Sequence, residues 1–414
     1  MKRSAPIFLL SLALSAPLLA QPEFRVNANN DPKPHAPAAA FSSDGGFLVA
    51  WSNDRDGVVA RSYTPAGQPR GGDLTLAGNV NLPQIPGEGN VVSQKEAAVV
   101  ASGDGFFVFW TSEKAHLTVD FFHETREVTD RDVFGQRFDR TGHAVGARFA
   151  VNQTAAGWQN RPRALAFGNK VVVVWQTDDE QATTAPGEGV FGRVFDTAGR
   201  AQGNEFRVGV AGWYGGYPAL AADASGGFAV AFEGPDANGR GVYVRFYDAA
   251  ARPRGRAVAV NSTTEGGQGR PGIAQNAAGD FVVLWQGQFE NPRKTRIYSQ
   301  RVARDGSRLG GEARISDGDL PWHLSPLALF RQGADPAAAW VEWSTNFPIG
   351  IYGEPLTDTG LPVGAKGKLN VQQIGAQYQL GAATNARGDL LLVWEGYNGG
   401  QKPGITAKVT RANP

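Results

Sequence analysis

The chain is 414 residues long and nearly uncharged, with 40 Lys and Arg against 39 Asp and Glu, and it contains 54 Gly, one Met and no Cys. Without cysteine there is no disulfide and no lipidated thiol, so packing alone must hold the fold. Without a basic field nothing neutralises a phosphate backbone, which argues against nucleic acid as a partner.

The first 20 residues read as a secretory signal peptide: Lys2 and Arg3, an apolar stretch from Ile7 to Leu14, then small residues to Ala20. That stretch is too short to span a bilayer and nothing later is long enough, so no membrane span is expected. The expected mature chain begins at Gln21; loss of Lys2 and Arg3 leaves 38 cationic side chains against 39 acidic ones, a net charge of −1. It is expected to be secreted or periplasmic, with residues 21–414 forming one domain.

Past the leader, short apolar runs alternate with turn residues and no window sustains a helical period, which is an all-β pattern. One run recurs and ends in an aromatic residue: Phe47 to Trp51, Phe106 to Trp110, Val171 to Trp175, Phe228 to Phe232, Phe281 to Trp285, Ala337 to Trp340 and Leu390 to Trp394. Successive end residues are 59, 65, 57, 53, 55 and 54 positions apart, so the chain divides into seven units of similar size.

Each unit reads as four strands. The first opens near a proline (Pro37, Pro162, Pro218, Pro271, Pro326), where a missing N–H is tolerated. The run ending in Trp is the second. The third carries a small residue at a fixed place, as in Val133-Phe134-Gly135-Gln136 and Val190-Phe191-Gly192-Arg193, which leaves room for a large ring from a neighbouring strand. Turns such as Asp139-Arg140-Thr141-Gly142 then lead to a fourth strand such as Phe149 to Asn152. The last unit stops after its third strand, Ile405 to Val409, while the mature chain opens on Phe24-Arg25-Val26-Asn27, a match to Phe149-Ala150-Val151-Asn152. The orphan strand fits the vacancy. The expected fold is therefore a seven-bladed β-propeller of four-stranded antiparallel blades, closed by the N-terminal strand.

The apolar run ending in Trp, followed by Gly-Val-Phe-Gly-x-x-Phe-Asp-x-x-Gly and Glu-Phe-x-Val-Asn, is clearest from Val171 to Val208 and from Phe106 to Asn152. It resembles a repeat of secreted bacterial β-propeller-type proteins, mostly uncharacterised. The resemblance implies export and a propeller-like fold and assigns no catalytic residue.

Binding in such a fold is expected where the fourth-to-first and second-to-third connections share one face. Trp158, Trp213 and Trp322 fall in the loop before a first strand, and Tyr214, Tyr217, His323, Tyr378, Arg161, Arg270 and His35 lie in the same loop class. Flat rings beside charged and amide groups suit a sugar, so Trp158, Trp213, Tyr214, Trp322, His323, Tyr378, Arg161 and Arg270 form the expected ligand-binding set. The segment from Ser112 to Asp132 reads as a long loop whose His116, Asp120, His123, Glu124, Glu127, Asp130 and Asp132 lack short metal-ligand spacing, so neither a metal nor another cofactor is expected. Nucleophile and phosphate-binding motifs are missing. Glu233, Glu342 and Glu395 follow or nearly follow the aromatic end of a second strand and could rim the same face. The leading expectation is an exported, non-catalytic protein that recognises carbohydrate or a cell-surface polymer. The alternatives are a polysaccharide-active hydrolase or lyase using carboxylates of the central funnel, and a scaffold for a protein partner.

Overall fold

The computed structural model describes residues 19–20, 22–28, 33–81, 88–119, 124–155, 157–178, 189–210, 216–290, 293–316, 328–332, 335–342, 350–364, 366–371, 377–396 and 403–411. Among the described residues the regular elements are β-strands, with no α-helix. His35–Phe41, Phe47–Asn53, Gly57–Tyr63 and Leu74–Ala77 pair antiparallel in that order. Equivalent groups start at Glu88–Ser102, Trp158–Phe167, Ala219–Ala222, Gly267–Gln275, Ala328–Gln332 and Gln377–Thr384. The groups starting at Glu88 and Trp158 share one nine-stranded sheet through a parallel bridge between Arg131 and Trp158.

The last group contributes Gln377–Thr384, Leu390–Gly396 and Gly404–Arg411, and Phe24–Arg25 is added to its outer edge. Phe24 pairs with Ala407 and Arg25 with Thr406. The chemistry of this junction recurs in other fourth strands. The Val26 amide donates to the Ile405 carbonyl at 2.8 Å, and the Ile405 amide donates to Asn27 Oδ1 at 2.8 Å. Within single groups the same clasp joins Val151 and Asn152 to Val133, Val260 and Asn261 to Val242, and Leu369 and Asn370 to Ile351. Asparagine recurs there because its amide oxygen accepts the one third-strand N–H that the short fourth strand leaves open. Leu19–Ala20, assigned by the sequence to the leader, also pairs with Arg411 and Thr410.

The sheets pack through their second strands, which are buried on both faces. Trp51, Trp110, Trp175, Trp285, Trp340 and Trp394 are at most 1% exposed. The pairing is regular: Val108 and Trp110 pack with Leu48 and Ala50, Val173 and Trp175 with Phe107 and Phe109, and Val230 and Phe232 with Val172 and Val174. Val283 and Trp285 meet Ala229 and Ala231, Trp340 meets Val282 and Leu284, and Leu392 and Trp394 meet Ala339 and Val341. Val49 and Trp51 of the first group pack with Leu391 and Val393 of the last. Three indoles also donate to a buried glutamine that precedes the first strand's bend: Trp110 to Gln94 at 2.7 Å, Trp175 to Gln159 at 2.9 Å and Trp285 to Gln268 at 3.0 Å.

Two local expectations are revised and one is met. Three of the prolines do not open the first strands, whereas Ala219–Ala222 opens directly after Pro218 and Pro326 lies outside the described residues. Pairing starts earlier, at His35, Trp158 and Gly267, and the register slips around Pro37, Pro162 and Pro271, because a bulge is where a strand can spare an N–H. The small third-strand residues make room, as expected, for large rings of the neighbouring strands: a Cβ on Gly135 would meet Phe109 of the second strand at 2.6 Å and Phe149 of the fourth at 3.0 Å, and one on Gly192 would meet Phe206 of the fourth at 3.1 Å. The described parts of the segment from Ser112 to Asp132 form a continued antiparallel ladder, Gly105–Val119 against Glu124–Phe138, in which Ser112 faces Asp132 and Val119 faces Glu124; Asp120 and His123 lie outside the described residues. The alternation of charged with apolar and β-branched residues there favours strand over loop.

Asn27→Ala leaves the buried Ile405 amide without its acceptor. The substitution should lower unfolding stability by about 1–3 kcal/mol, as for any orphaned buried donor, measurable by denaturant titration. A loss equal to that of an exposed control such as Asn204→Ala would show that the junction carries no weight.

Candidate active site

Each bulge, and the residue two places ahead of the strand Ala219–Ala222, has the same backbone conformation. Ala36, Glu96, Arg161, Tyr217, Arg270 and Gln379 all adopt positive φ, at 51°, 57°, 53°, 49°, 52° and 44°. These residues occupy one equivalent place, at the bend of the first strand, and Ala36, Arg161, Tyr217 and Arg270 each stand directly before a proline. A left-handed conformation costs a non-glycine residue about 1–3 kcal/mol, and proline restricts its predecessor further. Strain repeated at one place in six groups is held by the surroundings.

Part of the restraint comes from the neighbouring group, whose residue following the terminal aromatic of the second strand reaches across. The Glu96 amide donates to Ser52 Oγ at 3.0 Å, the Tyr217 amide to Gln176 Oε1 at 3.2 Å and the Arg270 amide to Glu233 Oε1 at 2.8 Å. The Arg161 amide donates instead to Glu96 Oε2 at 2.9 Å, an oxygen that also accepts from Thr111 Oγ1 at 3.1 Å. The first strands of successive groups touch one another, and the last touches the first. The strained residues therefore sit on the innermost strands.

Three of them converge. The Arg161 guanidinium lies 4.2 Å and the Arg270 guanidinium 5.1 Å from the centre of the Tyr217 ring, so a phenol is held between two cations. Arg161 Nε is 3.9 Å from Glu96 Oε1. Burial opposes the Arg161 charge, but its hydrogen-bonded partner Tyr217, with Glu96 and Asp178, outweighs that and raises its pKa. Glu233 lies beneath, 3% exposed, with Oε2 3.8 Å from Arg240 Nη1. Burial is the largest influence on this carboxyl and raises its pKa against the opposing pull of Arg240, Arg270 and Arg161.

Of the residues expected from sequence, Arg161 and Arg270 meet here, joined by Tyr217. Trp158 stands apart between two groups, half-buried, with the Arg131 guanidinium 4.5 Å from its ring centre; Arg131 in turn pairs with the fully buried Glu113 at 2.7 Å. Tyr378 lies in the strand Gln377–Thr384, its backbone opposite Glu395. Trp213, Tyr214, Trp322 and His323 lie outside the described residues. Glu342 is 2% exposed and held by Lys366 Nζ at 2.9 Å, and Glu395 is 9% exposed, so both are tucked behind the rim. Glu96 was missed. The signal that could have found it is the register of its unit against the residue-before-proline position of the others, which its own unit, lacking the proline, hides.

No protein-family model matches the chain, and no curated protein matches it in sequence. Its fold is similar to solved structures at very low identity. A polysaccharide lyase described as PL25 ulvan lyase has a TM-score of 0.59 at 10% identity, over 93% of this chain and 95% of that one. Polysaccharide lyase Uly1 has a TM-score of 0.53 at 11% identity, over 94% and 92%. A protein of unknown function from Dyadobacter fermentans has a TM-score of 0.54 at 9% identity, over 96% and 99%. The fold is all-β and propeller-like. The leading expectation of a non-catalytic binding protein is corrected on this finding, since two of the three similar folds are named as polysaccharide lyases.

Two measurements test the site's physics. Glycine removes both the side chain and the left-handed penalty, so Arg161→Gly should be more stable than Arg161→Ala by about 1 kcal/mol; equal stability would mean that the bend is unstrained. For Glu233, a raised carboxyl pKa means that the fold keeps this proton at a pH where the unfolded chain releases it. The stabilisation is complete in acid and is lost as pH rises through the raised value. Glu233→Gln retains an acceptor for the Arg270 amide and does not titrate. Its melting temperature relative to wild type should therefore rise from mildly acidic to neutral pH, and a pH-independent difference would contradict the assignment.

Proposed function

We propose that this protein is an exported, closed seven-bladed β-propeller that cleaves an acidic polysaccharide by β-elimination at the axial mouth. The blade count is supported by the seven aromatic-ended runs and by the packing of Val49 and Trp51 on Leu391 and Val393; closure is supported by the pairing of Phe24 with Ala407. Export rests on the leader-like first 20 residues. The fold likeness to two polysaccharide lyases supports the reaction class.

The observation that carries the mechanism is Tyr217 between Arg161 and Arg270. Elimination next to a uronate requires removal of the C5 proton, which the adjacent carboxylate makes weakly acidic. A guanidinium on that carboxylate neutralises its charge and stabilises the carbanion that develops, as a planar two-pronged donor suits it to do. Arg270 and Arg161 are placed for this role. Tyr217, hydrogen-bonded to Arg161, takes the C5 proton as general base; the C5 electron pair forms the C4=C5 bond, the C4–O4 bond breaks, and Tyr217 returns the proton to the departing oxygen, which leaves as an alcohol. Glu233 fixes the Arg270 backbone and acts as a positioning residue. Hydrolysis fits less well, because it needs two carboxyl groups at the sugar, whereas Glu233, Glu342 and Glu395 are all 9% exposed or less.

Incubation of the secreted wild-type protein, with its N-terminus verified at Gln21, with uronate-containing polysaccharides should release products with a new conjugated C=C absorbance. Tyr217→Phe should reduce kcat by at least about 100-fold, the usual scale of proton-transfer catalysis. Arg270→Gln should also raise KM. New reducing ends without the unsaturated chromophore would replace elimination with hydrolysis, and no cleavage of any such polymer would end the proposal.

A further inference from the structure

Two residues past the strained position, the first strand resumes its regular pairing. The residues there are Ala38 opposite Ala50, Ala98 opposite Phe109, Ala219 opposite Ala231, Gly272 opposite Leu284 and Gly381 opposite Val393. These five places hold only a methyl group or a hydrogen, as crowding near the axis demands, and so does Ala328, which stands opposite Ala339 at the same register place. The seventh described place holds Arg163, opposite Val174. Its side chain is exposed, although it stands on a strand flanked by the first strands of the groups before and after it. An exposed side chain on an innermost strand opens onto the space that these strands surround.

Its hydrogen-bonding is nearly unused. The described bond is from Nη1 to the carbonyl of Pro162 at 2.9 Å, and among the described residues no carboxylate lies within ion-pair distance of its guanidinium. Surrounding protein lowers its pKa, Arg161 adding to this and Glu96 opposing it; an arginine nevertheless stays charged at neutral pH. A cation set among small residues with most of its donors free is a receptor for an oxyanion.

We propose that Arg163 forms an oxyanion site inside the axial space, below the Arg161, Tyr217 and Arg270 mouth, which takes a carboxylate or sulfate group. The site does not depend on the mouth being catalytic. Its use as a subsite for a second charged group of the polymer does rest on the reading above. The three arginines at 161, 163 and 270 then select a chain that carries repeated negative charge and leave a neutral polymer without compensation for the charge left uncovered.

The test is isothermal titration of the full protein with inorganic sulfate and, separately, with glucuronate, for wild type, Arg163→Gln and Arg163→Lys. Saturable binding weakened by about tenfold or more in Arg163→Gln, and partly restored in Arg163→Lys, is expected for loss of a charge-assisted contact. The tighter of the two anions identifies the group for which the site is shaped. Equal affinity in wild type and both variants, or no binding of either anion to wild type, overturns the site. Anion binding that depends on Arg163 in a protein that cuts no polysaccharide retains the site and removes only the enzymatic reading.

Discussion

A four-stranded sheet that is apolar on both faces cannot stand alone in water, and this constraint organises the molecule. Second strands such as Phe47–Asn53 and Leu390–Gly396 are buried at every position, so each sheet must be covered on both sides by another of its kind. A linear row would leave two uncovered faces. Here the first group packs on the last through Trp51 and Leu391. The Phe24–Arg25 edge strand contributes hydrogen bonds rather than bulk, tying residues 378 positions apart with the clasp that elsewhere spans 19.

Crowding of the inner strands sets the second level of organisation. Their closely spaced edges favour Ala and Gly where pairing is regular, and a bulge just before that point swings one residue per group into a left-handed bend. The backbone there is restrained by a neighbour's side chain: Ser52, Gln176 and Glu233 each accept an amide from the next group. The side chain at the bend is thereby presented from a strand rather than a mobile loop, the arrangement that best preserves catalytic geometry. Natural variation at this one place would change the chemistry of the mouth without disturbing the sheets.

Electrostatics separates structural charge from functional charge. Glu113 is fully buried and paired with both Lys95 and Arg131; burial disfavours its charge, but the two cations more than offset this and hold its pKa below the ordinary carboxylate range. That triad ties together the three consecutive strands Glu88–Ser102, Gly105–Val119 and Glu124–Phe138 of one group. Glu233 is also buried, yet its cations stand farther off and its pKa is raised. Contrasts of this kind mark places where a protein maintains an unfavourable arrangement, as active sites do.

The amino-acid sequence alone determined the repeat, the strand order within each unit, the burial of the Trp series and the partnership of Phe24–Asn27 with the last unit, because these follow from local hydrophobic period and from motifs present in many copies. Arg161 and Arg270 were visible as members of one loop class. What only the tertiary structure decided was which of those loop residues meet. Arg161, Tyr217 and Arg270 come from three different units and are joined by bends that no local pattern announces, and Glu96 sits in a unit without the marking proline. The long ladder at Ser112 to Asp132 and the solitary Arg163 among Ala and Gly were equally hidden. Pairing register and the side of a strand that faces the axis are properties of the assembled sheets, set by contacts between residues far apart in the chain.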